Sequence, residues 1–365
     1  MARPDLNELI SLADYERAAE ASMAPDAHGY AYGGAGDEIT LRDNVAAWGR
    51  LAIRPRMLVG VGARDPGVEL LGVPRRHPLI IAPMAFQRLA HREAEVATAR
   101  AAAATGSIMC LSTLGTTSAA EMAEGAPGAP RWFQLYVFAD RGVSRELMAR
   151  AVEHGYEALV VTVDLPVMGV RERDLRSGAQ AAAAELVASA VAAGVTGTLS
   201  PKEFAGLVDA DLTWKDIERF AAESPLPVIV KGVLTPEDAL LAAEHGVRGL
   251  VVSNHGGRQL DTVLSGADAL PPIVEAAGDR VEVLVDGGIR RGTDVLKALA
   301  LGARAVMVGR PVLWGLALGG TEGARRVIEI LLEEFDATLA LSGARSAREI
   351  DAGLVCPAPW VAPRR

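Results

Sequence analysis

The stretch VVSNHGGRQLD, residues 251–261, closes an apolar run with a histidine, an arginine and an aspartate set around two glycines. A plain turn needs only the glycines. Histidine titrates near neutrality and can take a proton in a reaction. Arginine grips a carboxylate through two parallel hydrogen bonds. His255 and Arg258 are close enough in sequence for one loop to present a base and a carboxylate clamp together, and Gly256 and Gly257 permit the turn between them. Asp164 ends another apolar run and can support the imidazolium that forms. Lys231 ends a third, PVIVK, where a lysine is costly unless it meets an anion. A structural ion pair is the plainer reading of that lysine. Gln259 and Asp261 have no role here beyond support of the loop.

These groups must be brought together by the elements that carry them. Eight short apolar runs alternate with charged, helix-patterned segments: 79–83, 107–111, 132–136, 158–164, 227–231, 249–254, 281–286 and 305–309. Continuous apolar strands between amphipathic helices imply a parallel sheet covered on both faces. Eight such units predict an α/β fold of the (β/α)8 TIM-barrel type. A Rossmann sheet is the rival, but it calls for six strands, and no G-x-G-x-x-G follows the first run. In a barrel, the polar strand endings face one rim, so residues scattered over the chain describe one cavity. DGGIRRG (286–292) and Gly309-Arg310 follow strands 7 and 8, where barrel phosphate sites form. A tight turn alone would also use those glycines. Arg171, in MGVRERD, is either a surface arginine or a second carboxylate grip. Tyr136 points to the rim or to the core. Tyr30 lies outside the barrel and reads as a packing residue.

The chain has 365 residues, half of them hydrophobic and only 4% aromatic, with a net charge of −9. That charge argues against a nucleic-acid surface. One domain is expected over 1–365. It comprises an N-terminal extension of short helices (1–78), the barrel (79–340), a lid-like insertion (172–213) and a tail (341–365). GYAYGGAGDE in the extension reads as a glycine-rich turn. Within the insertion, AQAAAAELVASAVAAG is rich in helix formers. It lacks the basic face and bulky anchors of a membrane-surface helix. The tail ends in PAPWVAPRR and is expected to be irregular. Cys110 and Cys356 show neither disulfide nor metal-ligand spacing, so no metal is expected. With no apolar leader or spanning run in view, a cytoplasmic protein without membrane contact is expected.

At these residues the sequence resembles the FMN-dependent L-2-hydroxy acid oxidase and dehydrogenase family. That family includes glycolate oxidase, lactate oxidase and monooxygenase, mandelate dehydrogenase and the hydroxymandelate oxidases. The resemblance runs from about residue 8 to about 350. It is carried by SNHGGRQLD, RPRML (54–58), IAPMAFQRLAH (81–91), WFQLY (132–136), TVDLPVMGVRERD (162–174), LPVIVKGV (226–233) and DGGIRRGTDVLKALALGARAVMVGRP (286–311). It implies FMN across the barrel mouth. The phosphate would lie near Gly288, Arg290, Gly309 and Arg310, with Asp286 at the ribityl chain. Ser112, Gln134, Thr162 and the backbone of Met84 and Ala85 would hold the ring. Lys231, with Ser253 beside it, would face the ring edge that gains negative charge. Arg171, Arg258 and Tyr30 would bind the substrate carboxylate, with Tyr136 at its hydroxyl or carboxylate. His255 would take the proton, supported by Asp164. Glycolate oxidases of plants carry tryptophan where this chain has Leu114, which implies more room: a mandelate-like acid, lactate or a longer aliphatic acid, unless the change is mere repacking. Oxygen is the expected acceptor, giving peroxide. A dehydrogenase using another acceptor, a lactate-type monooxygenase and a barrel isomerase that binds FMN or a phosphate are the alternatives. A homotetramer is expected from the resemblance.

Overall fold

The computed structural model describes residues 5–178 and 201–360. Eight parallel strands close a barrel: β1 (Leu79–Ile81), β2 (Ile108–Leu111), β3 (Arg131–Leu135), β4 (Leu159–Thr162), β5 (Val228–Val233), β6 (Gly249–Val252), β7 (Glu282–Asp286) and β8 (Ala305–Val308). β8 pairs with β1 and completes the ring. The eight strands fall on the eight apolar runs, shifted at their ends by one or two residues. β1, β2, β4, β6 and β8 are buried along their whole length. Val, Ile and Leu fill them because helices cover the outside and side-chain layers fill the inside. The helices begin where the sequence supplies caps. Ser118 with Glu121, and Thr213 with Asp216, form reciprocal capping boxes. Thr235 caps a helix that starts on Pro236.

Among the described residues, three α-helices precede the barrel: α1 (Leu12–Ser22), α2 (Pro25–Tyr32) and α3 (Ile39–Trp48). GYAYGGAGDE is therefore not all turn, because Gly29–Tyr32 complete α2 and the turn starts at Gly33. Pro25 at the first helical position starts that helix. Its last turn is held by Tyr32, whose ring stacks 4.6 Å from His28 and 5.8 Å from Trp314. Of the tail's PAPWVAPRR, Pro357 ends a short strand and residues 361–365 lie outside the described residues. Val355–Pro357 pairs antiparallel with Leu51–Ile53. Pro357 is tolerated there at a sheet edge, where its missing N–H leaves no ladder bond unmade. The last helical stretch, Arg310–Ser342, is broken by a kink at Gly319 and Gly320, whose backbone is not helical.

Of the insertion, α4 (Glu172–Ser177) and the short helix Pro201–Ala205 are described, and the alanine-rich run 179–194 lies outside the described residues. The segment after it sits on the rim. Ala139 N donates to Leu207 O at 2.9 Å, and Asp209 N donates to Val137 O at 2.8 Å. Phe204 is buried against Tyr136 and Phe138. Among the described residues, no helix is long and apolar enough to cross a membrane.

Candidate active site

A pocket opens at the C-terminal ends of the strands. It is lined by every site residue named from the sequence except Asp164 and Ser253, which stand directly behind it. Arg171, Arg258, Arg290, Arg310 and Lys231 line it, against Asp174 and Asp286. The basin is therefore cationic inside a chain of net charge −9, and it suits an anionic ligand.

His255 is held on a strained turn. His255 has φ 59°, followed by Gly256 at 64° and Gly257 at 74°. Left-handed backbone is costly for a histidine, and such strain persists only where its surroundings impose it. Here Ser253 Oγ accepts the His255 N–H at 3.1 Å, and Nδ1 meets Asp164 Oδ1 at 2.8 Å. That contact leaves Nε2 for the pocket. Asp164 reaches it because Gly232 has no side chain: a Cβ there would lie 2.7 Å from Asp164 Cβ. Burial raises the Asp164 pKa, but His255 and Lys231 beside it bring the carboxyl below its ordinary value. Burial lowers His255, and the Lys231 charge adds to that effect. Asp164 opposes both, and the net shift is downward. The imidazole is accordingly neutral and ready to accept a proton at neutral pH.

Lys231 Nζ donates to Ser253 Oγ at 2.9 Å and lies 3.4 Å from Asp286 Oδ2. Burial would lower its pKa, but Asp286 and Asp164 raise it overall, so it stays an ammonium. The plainer reading of this lysine, an ion pair, is present in its contact with Asp286, and the residue also lines the pocket. Tyr30 and Tyr136 are raised by burial and stay phenols.

Arg258 and Arg171 come together although they are far apart in sequence. Arg258 Nη1 donates to Tyr30 O and Gly33 O at 2.8 and 2.9 Å, and its guanidinium lies 4.7 Å over the Tyr30 ring. Its Nη2 meets Asp174 Oδ2 at 3.2 Å. Arg171 is buried, not a surface residue, and its Nε donates to Arg258 O at 2.8 Å. Burial pulls Arg171 down to about 10 and Arg310 to about 9, and both stay charged at neutral pH. Tyr30, which reads as a packing residue in sequence, has its hydroxyl in the site, accepting the Ala85 N–H at 3.1 Å.

Among the described residues, the buried polar atoms of the site without a protein partner are Gln134 Nε2, Thr162 Oγ1 and Asp286 Oδ1, together with Asp164 Oδ2 and Asp174 Oδ1. Ser112 Oγ and Thr113 N occupy Gln134 Oε1, which fixes the amide and presents its NH2. Such atoms are rare unless a ligand meets them. A donor, a hydroxyl and a carboxylate acceptor around the mouth fit the ring and ribityl hydroxyls of FMN. Gly288, Gly309, Arg290 and Arg310 line the same pocket. Two of these carry other duties. Arg310 spends three of its N–H groups on Ala31 O, Gly256 O and Gly33 O. Gly288 has φ 80°, and a Cβ there would lie 1.8 Å from Asn44 O, so α3 as well as an anion demands a glycine.

Several contributors were given no site role from the sequence. Asn44 of α3 and Asn254 exchange side-chain hydrogen bonds of 2.9 and 2.8 Å. Asp261 accepts from Ile39 N and Thr40 N at 3.2 and 2.8 Å, capping α3 from the catalytic loop. Asp174 shares one helical turn with Arg171, a spacing that could have flagged it. Leu114 is joined on the apolar side by Phe86, Leu165 and Met168.

The barrel and its rim define a flavin-dependent oxidoreductase site, and the chain belongs to the FMN-dependent dehydrogenase family, whose model matches residues 19–357. It is an FMN-dependent enzyme that oxidises 2-hydroxy acids. It is 48% identical to the L-lactate oxidase of Nostoc sp. over 352 residues, covering 94% of this chain and 96% of that one. The solved mandelate oxidase with 3,3-difluoro-2-hydroxy-3-phenylpropionic acid matches with a TM-score of 0.84 at 41% identity, over 96% of this chain and 99% of that one. The flavin-binding domain of baker's yeast flavocytochrome b2 matches with a TM-score of 0.87 at 36% identity, over 99% and 91%. Family membership decides against the isomerase alternative.

Proposed function

We propose that this enzyme oxidises an L-2-hydroxy acid larger than glycolate to the 2-oxo acid and passes the electrons to oxygen, giving hydrogen peroxide. The observation that carries the proposal is one rim holding a neutral His255 on Asp164, two buried arginines and an apolar wall. Bound FMN supplies the two-electron acceptor. Gln134, Thr162, Ser112 and the Met84–Ala85 backbone hold its ring. Asp286 meets the ribityl chain, and Gly288, Gly309 and Arg290 meet the phosphate. Arg310 adds charge and its two remaining N–H groups.

Arg171 and Arg258 fix the substrate carboxylate, and Tyr30 and Tyr136 donate from their phenols. This orients the substrate carbon before reaction, a positioning effect. His255 Nε2 takes one proton, from the hydroxyl or from the α-carbon, and Asp164 holds the resulting charge. Lys231 keeps a fixed ammonium beside the ring edge, where negative charge is favoured without reorganisation. Leu114, Leu165, Met168 and Phe86 receive the side chain of lactate, a longer aliphatic acid or a mandelate-like acid. The lactate and mandelate oxidases named above support that range and the choice of oxygen.

The test is anaerobic flavin bleaching by glycolate, L-lactate, L-2-hydroxyhexanoate and L-mandelate, followed by air. Faster bleaching by the larger acids and prompt recovery of colour in air are expected. No bleaching by any of them defeats the proposal. Glycolate reacting fastest defeats the size argument. Bleaching without recovery in air assigns a dehydrogenase, in line with the likeness to flavocytochrome b2.

A further inference from the structure

Gln259 shares the His255 loop but has no part in the proton or carboxylate chemistry above. Its amide is nevertheless fully engaged, and always with the loop that leaves β4. Oε1 accepts from Arg171 Nη2 at 2.7 Å and from Gly169 N at 3.3 Å. Nε2 donates to Asp164 O at 2.8 Å and to Val167 O at 3.0 Å. Two acceptor and two donor positions are all that a carboxamide has. The loop and the residue are pressed together, since a Cβ on Gly169 would lie 2.5 Å from Gln259 O. The gripped loop begins at Asp164, the partner of the base, and ends at Arg171, one arm of the carboxylate grip. The same side chain thus holds both ends, while Arg171 Nε takes the neighbouring Arg258 carbonyl.

We propose that Gln259 is a positioning residue that sets Arg171 in register with Arg258 and with the Asp164–His255 pair, so that grip and base are placed as one unit. This rests on the assignment of Arg171 to the substrate carboxylate. Chemistry at this position is restrictive. Leucine or methionine supplies none of the four bonds. Glutamate sets an oxygen against the carbonyls of Asp164 and Val167 and pairs directly with the Arg171 charge that the substrate needs.

The test is a double-mutant cycle on the holoenzyme, with oxalate as the probe and its Kd read from the flavin absorbance change. Gln259→Met and Arg171→Met are each expected to weaken oxalate about tenfold or more, the scale of one charge-assisted hydrogen bond. In the Arg171→Met background, Gln259→Met should add less than about twofold, because its partner is gone. Should Gln259→Met fail to hold FMN, Gln259→Glu serves instead. Its deficit relative to wild type should narrow between about pH 6 and pH 4, the range in which a glutamate carboxyl gains a proton and regains a donor. Wild-type oxalate affinity in Gln259→Met, losses that multiply in the double variant, or a pH-independent deficit in Gln259→Glu each overturn the inference alone. Unchanged affinity in Arg171→Met overturns the carboxylate assignment and the inference with it.

Discussion

Changing Asp164 to asparagine preserves the shape of the residue and removes its charge. His255 Nδ1 and Asp164 Oδ1 are 2.8 Å apart, and both residues are largely buried. With charge centres about 4 Å apart and an effective dielectric of about 20, imidazolium and carboxylate attract by about 4 kcal/mol. The asparagine oxygen can still accept from Nδ1, so part of this survives. A net loss of about 3 kcal/mol corresponds to a fall in kcat of about a hundredfold. The carboxylate grip is made by other residues, so KM should stay within about threefold. The pH profile gives the sign. The base works in its neutral form, so kcat/KM rises as pH passes upward through the His255 pKa. Burial and Lys231 already hold that pKa low, and Asp164 opposes them. Its removal lowers the pKa further, so the acidic limb moves to lower pH while the plateau falls. Anaerobic stopped-flow reduction of the flavin across the pH range reads both effects. Retention of more than about a third of kcat, or a limb that moves to higher pH, refutes the assignment.

Lys231→Met should slow flavin reduction by at least about a hundredfold. It also leaves Asp286 buried without its partner, costing about 3–5 kcal/mol in denaturant unfolding. Leu114→Trp should raise KM for the larger acids about tenfold or more and spare glycolate, read from a panel of steady-state assays. Gly288→Ala should displace α3 from the Asn44–Asn254 pair, seen as weaker FMN retention on dialysis and a lower Tm.

The barrel is legible in the sequence because its strands are buried on both faces and so write themselves as unbroken apolar runs. The site is legible where residue chemistry is expensive. A lysine ending PVIV, or a histidine and an arginine beside paired glycines, is hard to explain by packing alone. What escapes is chemistry done by ordinary residues at long range. Asn44 and Gln259 are common polar residues, and only the fold shows that Asn44 reaches Asn254 and that Gln259 holds the loop leaving β4. Tyr30 reads as packing because nothing in the first 78 residues says that α2 lies over the mouth. The tail's pairing with Leu51–Ile53 escapes for the same reason, since three-residue strands with a proline have no periodicity to read.

The docking of α2 also has a consequence for how the enzyme is made. Tyr30, Ala31 and Gly33 offer their carbonyls to Arg258 and Arg310. Arg310 lies 279 positions after Ala31. At about 5–20 residues per second, a ribosome needs roughly 15–55 s to travel that distance. The helix bearing Tyr30 has then been synthesised but lacks Arg258 for most of that interval and Arg310 for all of it. The substrate grip is thus among the last parts of the molecule to be assembled, and a nascent chain stalled before residue 310 carries a tyrosine with no finished site to enter.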